Sequence, residues 1–173
     1  TSGTYNTAVG YNCMEKTEAG QRNTAMGYKA LDANTTGSYN VSLGMFSMTT
    51  STTAGYNTAC GYYALGSATT GTENTAVGYT AMNNTTTSLD NTALGAGALK
   101  ENTTGSTNVA VGKNCLVRCS TGTQNVCMGW QAGDHLSSGS YNTFIGYDAG
   151  SAYTTQSQQT AVGYRAMNAA TGS

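Results

Sequence analysis

Polar and apolar residues recur along this chain at one fixed interval. A glycine stands at Gly10, Gly27, Gly44, Gly61, Gly78, Gly95, Gly112, Gly129, Gly146 and Gly163, 17 residues apart each time. An amide precedes each by four residues, at Asn6, Asn23, Asn40, Asn57, Asn74, Asn91, Asn108, Asn125, Asn142 and Gln159. Between amide and glycine, the column that begins Val9, Met26, Leu43 is apolar in all ten units. The column that begins Ala8, Ala25 is Ala in seven units, with Ser42, Cys127 and Phe144 as exceptions. After the glycine follow a small column (Cys13, Ala30, Ser47, Ala64) and a larger apolar one (Met14, Leu31, Met48, Leu65) in which Gly133 and Gly150 stand out.

A unit of 17 residues is too short for a helix–turn–helix repeat, which takes about 33 or more. It suffices for one rung of a β-solenoid with two short strands and two turns. The pattern predicts a first strand over Asn6–Val9, because the position of Thr7 is β-branched (Thr or Val) in all ten units. A corner follows at Gly10, where a residue without Cβ can adopt positive φ, then a second strand over Tyr11–Met14. The second turn falls at Thr-Thr-Gly stretches such as Thr35-Thr36-Gly37 and Thr69-Thr70-Gly71. The expected fold is therefore all-β: a parallel β-solenoid (β-roll) of ten 17-residue coils, one repeat domain over 1–173, in which Thr171-Gly172-Ser173 opens an eleventh unit. Parallel rungs about 4.8 Å apart would give a rise of about 48 Å. The absence of Pro fits, since each Pro would remove a ladder hydrogen bond. The chain opens at Thr1 in mid-pattern, as expected of a processed or excerpted segment.

Stacking places like on like, so the amide column is expected to form a side-chain ladder up and down the coil, satisfying polar groups at a tight turn. Side chains alternate along a strand. Ala8 and Val9 are then expected to face opposite sides, as are Cys13 and Met14. Both sides are apolar and free of charge, whereas a thin solenoid has one interior. One set is expected to fill the coil and the other to face a neighbouring chain, most simply in a closed homotrimer.

Segments such as Asn23-Thr-Ala-Met-Gly-Tyr-Lys-Ala-Leu31 and Thr70-Gly-Thr-Glu-Asn-Thr-Ala-Val-Gly-Tyr-Thr-Ala-Met82 resemble the N-T-A-x-G-Y-x-A-L…T-T-G repeats of bacteriophage and viral tail-fibre proteins, also found in large bacterial surface proteins. More distantly they are similar to the repeats of trimeric autotransporter adhesin heads, which are shorter. The resemblance covers all ten units. It implies an elongated, trimeric β-roll on a virion or cell surface, acting as a shaft or adhesive head. Relatives of this kind often carry a separate C-terminal chaperone or receptor-binding module, and the repeat shows none.

Composition sharpens the picture. Leu, Ile, Val and Phe together number 19 of 173 residues, too few for a thick aliphatic core. Low hydrophobicity suggests disorder only when net charge is high, and here it is −1. Moreover, the fifteen charged residues avoid the Asn-Thr-Ala-Val-Gly core, a sorting that disorder does not require. No charge excess favours nucleic acid, and no run of 18 apolar residues favours membrane insertion.

Candidate chemistry is sparse. His135 is the single histidine; its neighbour Asp134 diverges from it, and a solvated turn is expected. Of the five cysteines, Cys13, Cys60, Cys115 and Cys127 stand in columns otherwise filled by Ala or Val and read as small buried hydrophobes. Cys119 stands in a loop-like column, where pairing with another thiol is conceivable, and the set matches no common zinc spacing. Two aromatic columns occur: Tyr11, Tyr28, Tyr62, Tyr79, Trp130, Tyr147 and Tyr164, and Tyr5, Tyr39, Tyr56 and Tyr141. They read as stacked stiffeners or as a surface binding glycans by ring stacking. The second alternates with Arg22, Glu73 and Asp90 and is expected to be exposed. Paired Thr columns (Thr35 and Thr36, Thr52 and Thr53) raise ice binding, although adjacent residues diverge. Glycosylation sequons begin at Asn34, Asn40, Asn83, Asn84 and Asn102, of which Asn40 is expected to be inaccessible within the ladder.

The expected function is a structural and adhesive fibre segment, extracellular or on a virion, without catalysis or cofactor. Its partners would be further copies of itself, with cell-surface glycans or a receptor as outside ligands. The alternatives are a monomeric solenoid that binds polysaccharide or ice, and a filament subunit polymerising end to end through unpaired terminal rungs.

Overall fold

The computed structural model describes residues 3–168, so the opening of the eleventh unit lies outside the described residues. Ten parallel strands form one sheet in chain order: β1 (Thr7–Val9), β2 (Thr24–Met26), β3 (Val41–Leu43), β4 (Thr58–Cys60), β5 (Thr75–Val77), β6 (Thr92–Leu94), β7 (Val109–Val111), β8 (Val126–Met128), β9 (Thr143–Ile145) and β10 (Thr160–Val162). The register is strict. Thr7 pairs with Thr24, Ala8 with Ala25 and Val9 with Met26, and every later pair repeats the 17-residue offset. This is a β-solenoid, with like residues one over another.

The second strand expected over Tyr11–Met14 is absent: each coil has a single three-residue strand, and the segment after the glycine is a turn. The cause lies in the backbone. Four residues in each rung have positive φ. The corner glycines Gly10 to Gly163 lie at 126–142°, and three further columns (Tyr5, Asn12 and Met14 in the first rung) lie in the left-handed region. In those three columns 27 residues are not glycine, with φ of 47–62°, a conformation costing about 1 kcal/mol or more apiece. A left-handed residue breaks strand alternation. Hence the columns of Cys13 and Met14 do not diverge as expected but both turn inward: Ala64, Leu65, Ala98 and Leu99 are all fully buried.

Inter-rung hydrogen bonding continues around the coil despite the short strands. Lys29 N–H donates to Tyr11 C=O at 3.0 Å, Met14 N–H to Ala30 C=O at 3.0 Å, and Glu18 N–H to Thr35 C=O at 3.0 Å. The turns are thus laddered almost as fully as the sheet, and this offsets the left-handed strain.

The core is thin and built from four inward columns: those of Ala8, Cys13, Met14 and Thr17. Its one large departure is Phe144, fully buried where other rungs carry a small residue. Two glycines accommodate it. A Cβ on Gly150 would collide with the Phe144 ring, and one on Gly133 would approach it to 3.0 Å. Both glycines occupy the column that holds Leu or Met in the other eight rungs, so one aromatic ring fills the volume of two missing aliphatic side chains.

Phe144→Ala is therefore expected to destabilise the coil by about 3–5 kcal/mol through the void it opens. Adding Gly150→Leu should recover a substantial part, because the residues of that column already hold the required positive φ. Urea denaturation of the single and double variants checks this; a double variant no more stable than the single one would count against the exchange of volume.

Candidate functional site

The amide column is the most ordered polar feature. From Asn23 to Asn142 its members are buried. The backbone N–H of each Asn donates to Oδ1 of the preceding Asn at 2.9–3.1 Å. The side-chain Nδ2 donates to the same oxygen at 3.0–3.2 Å from Asn40 onward. It also donates at 2.8–2.9 Å to a backbone carbonyl of the next rung, such as Gly37 O for Asn23 or Ser88 O for Asn74. Asn6 opens the ladder with Nδ2 on Gly20 O at 2.8 Å, and Gln159 ends it with N–H on Asn142 Oδ1 at 2.9 Å. The side-chain amide thus stands in for backbone partners that the tight turn cannot supply. Only an Asn-length amide offers an acceptor and two donors at this reach. The corner glycines are fixed as firmly: a Cβ on Gly78 would lie 2.6 Å from the carbonyl of Gly95.

The first aromatic column lies outside and stacks on itself. Ring centroids are 5.7 Å apart for Tyr11 and Tyr28, 5.5 Å for Tyr62 and Tyr79, 4.7 Å for Trp130 and Tyr147, and 5.3 Å for Tyr147 and Tyr164. Phe46 bridges the gap between Tyr28 and Tyr62, edge-on to both. Ring faces within a block are therefore covered by other rings. In the second column Tyr39 and Tyr56 stack at 4.8 Å, and the Arg22 guanidinium lies 5.4 Å from the Tyr5 centroid and 5.3 Å from that of Tyr39; Tyr141 is exposed.

The strand carries a third outward feature. Its middle residue points in, and its flanking residues point out. The apolar column of Val9 is accordingly exposed or half-exposed on the single chain, with Leu94 at 48% and Met26 at 52% and Leu43, Val77 and Val111 half-buried. Beside it runs the Thr/Val column of Thr7. These two columns hold no charged residue in any of the ten rungs.

The cysteines divide differently from expectation. Cys60 is exposed, because it belongs to the outward strand column, and Cys119 is fully buried, because its column turns inward. Cys119 Sγ lies 3.8 Å from Gly122 O, and burial pushes its thiol up to about 11. Burial also raises Cys127, which lies beside Cys115. His135 is on the surface with Nδ1 2.7 Å from Ser151 O and 3.8 Å from Asp134 Oδ1. Burial raises the Asp134 carboxyl, while His135 beside it pulls the other way. The first Thr column is half-buried, each hydroxyl of Thr35, Thr52, Thr69, Thr86 and Thr103 donating to the next rung's carbonyl at 3.0–3.2 Å. Among the sequons Asn34, Asn40 and Asn102 are buried, and only Asn84 is exposed.

No protein-family model, no curated protein and no solved structure matches the chain.

Asn74→Ala would leave the Asn91 backbone N–H and Ser88 O without their partner, and would remove the Nδ2 bond to Asn57 Oδ1, which keeps the Asn74 backbone N–H. A loss of about 2–4 kcal/mol is expected, against none measurable for Lys29→Ala; thermal melts of both variants check it. The Cys119 thiol ionises at about 11 in the fold against 9.0 unperturbed. Between those values the folded chain binds more protons than the unfolded one, so stability falls as pH rises above about 9. Cys119→Ala should flatten that fall, measured by urea midpoints at pH values on either side of this range; an unchanged slope would exclude the thiol as its source.

Proposed function

We propose that this chain is a structural and adhesive segment of a fibre, extracellular or on a virion surface, that works without catalysis and assembles as a homotrimer. The observation carrying this reading is the outer face of the strands. It is apolar or Thr in all ten rungs and uncharged throughout, and it forms a continuous stripe about 48 Å long. Contiguous exposed apolar surface of this extent marks an interaction site.

The spacing of the face favours a second copy as its occupant. Side chains repeat along it at the rung interval, so only a partner with the same interval can meet every rung equivalently. Another copy of this chain, parallel and in register, does so. The repeat's resemblance to tail-fibre and adhesin segments supports the same assembly. Ice binding finds less support, because the hydroxyls of the Thr35 column are engaged with the backbone rather than presented to solvent.

Sedimentation equilibrium should give three times the 17.7 kDa chain mass; a stable monomer would favour the surface-binding alternative. Leu94→Glu, which places a charge in the middle of the stripe, should yield monomers that retain the fold. Cys60 lies in the same column and reports on it. Its alkylation should be slow in the assembled protein and at least about tenfold faster in the Leu94→Glu variant. Equal rates would place the interface elsewhere.

A further inference from the structure

The first aromatic column is interrupted over two consecutive rungs, where Ala96 and Lys113 replace rings. Tyr79 ends the block on one side. Its ring stacks on Tyr62 with planes 6° apart, so its second face looks along the column toward Ala96. That face is open: Tyr79 is 61% exposed, whereas Tyr62, packed among Phe46, Tyr63 and Tyr79, is 38% exposed. The floor beneath the gap is low. Ala96 contributes one methyl group and Gly97 no side chain, and a Cβ at Gly97 would collide with Asn114 Oδ1, so the Asn114 amide lies over that glycine. Lys113 stands one rung beyond, exposed, and in no ion pair among the described residues. Trp130 follows in the next rung, one of its faces covered by Tyr147.

Two rung intervals separate Tyr79 from Lys113, roughly 10 Å, which leaves room for one ring stacked on the tyrosine. We propose that this gap is a binding site for an acidic sugar residue. The apolar face of the pyranose lies on the open face of Tyr79, above Ala96 and beside the Asn114 amide. Its carboxylate pairs with Lys113 Nζ, and a ring hydroxyl donates to Asn114 Oδ1. Each element has its chemical reason: aromatic faces take the C–H face of a ring, an unpaired ammonium takes an anion, and an amide takes a hydroxyl. A nucleic acid fits less well, since phosphate polymers bind through several cations and one lysine serves this site on a chain of net charge −1. The inference deepens the adhesive half of the reading above, at a site apart from the strand face.

The test is calorimetric titration of the intact chain with a glucuronate-containing tetrasaccharide, with cellotetraose as the neutral counterpart. Saturable binding of the acidic sugar is expected, with the neutral one at least about tenfold weaker. Lys113→Gln should reduce the acidic sugar to the neutral level, while Lys29→Gln leaves it unchanged. Ala96→Tyr fills the gap with the residue most common in that column, so the fold is kept, and it should weaken binding by about tenfold or more. No saturable binding at about 10 mM, full affinity in Ala96→Tyr, or equal affinity for the two sugars would each overturn the proposal. Sedimentation of the same variants should be unchanged, so a failure here leaves self-association standing, and a failure of self-association leaves this binding measurable.

Discussion

Everything in this molecule depends on each residue lying over its own equivalent from the preceding turn. With 19 large aliphatic or phenylalanine side chains in 173 residues, burial of apolar surface alone could not hold it. The coil interior is mostly Ala, Leu and Met, one residue thick. What replaces a core is periodic hydrogen bonding, continued around the turns by backbone bonds between rungs and, where the backbone has no partner, by the asparagine ladder. Stacking also makes the left-handed residues tolerable. An isolated Leu or Met at φ near 50° would relax to another conformation, but in Leu31, Leu65 and Leu99 the N–H donates to the following rung's carbonyl, at 3.0 Å in each case.

How much of this is visible in the sequence follows from what is periodic. Register, parallel pairing, corner glycines and the stacking of the amides are all consequences of one interval, and an interval can be counted. Local backbone conformation is not carried by the interval. Reading Tyr11–Met14 as strand rests on alternation, and alternation fails once Asn12 and Met14 are left-handed. A signal was present: the column of Asn12 also holds Gly97, Asn114 and Asp148, and that of Met14 holds Gly133 and Gly150, residue types enriched at positive φ. Lys29, Phe46, Tyr63 and Leu31 in the same columns obscure it. The inward column of Thr17 was hidden for another reason. It contains Asn34, Ser51 and Thr85 as well as Ala68 and Leu136, and such a mixture reads as a loop although its members are buried.

The surface follows a different logic from the interior. The inward columns of Ala8, Cys13 and Met14 and the amide column vary little, because a change is felt by the rungs on both sides. Phe144 is the instructive exception, tolerated where two neighbouring glycines yield their volume. Outward columns are free to vary, and they do so by column. Charges fall mostly in the turn columns of Tyr5, Asn12, Glu15 and Lys16, while the strand's outer face admits none.

That difference between two outward faces is the strongest functional clue. A face open only to water has no reason to exclude charge in ten successive rungs when its neighbours accept it freely, and Val, Leu, Met and Ile half-exposed along its length lower solubility. A covered face has such a reason, since a charge buried against an apolar partner costs several kcal/mol. The aromatic column shows the opposite tolerance. Its rings form self-sufficient blocks, and replacing two of them by Ala96 and Lys113 leaves β6 and β7 in the same register as every other pair. An interruption that leaves the register intact is where a periodic protein can place something that is not periodic. On the readings proposed above, the repeated positions specify shape and assembly, and recognition of another molecule falls to the places where the repeat is broken.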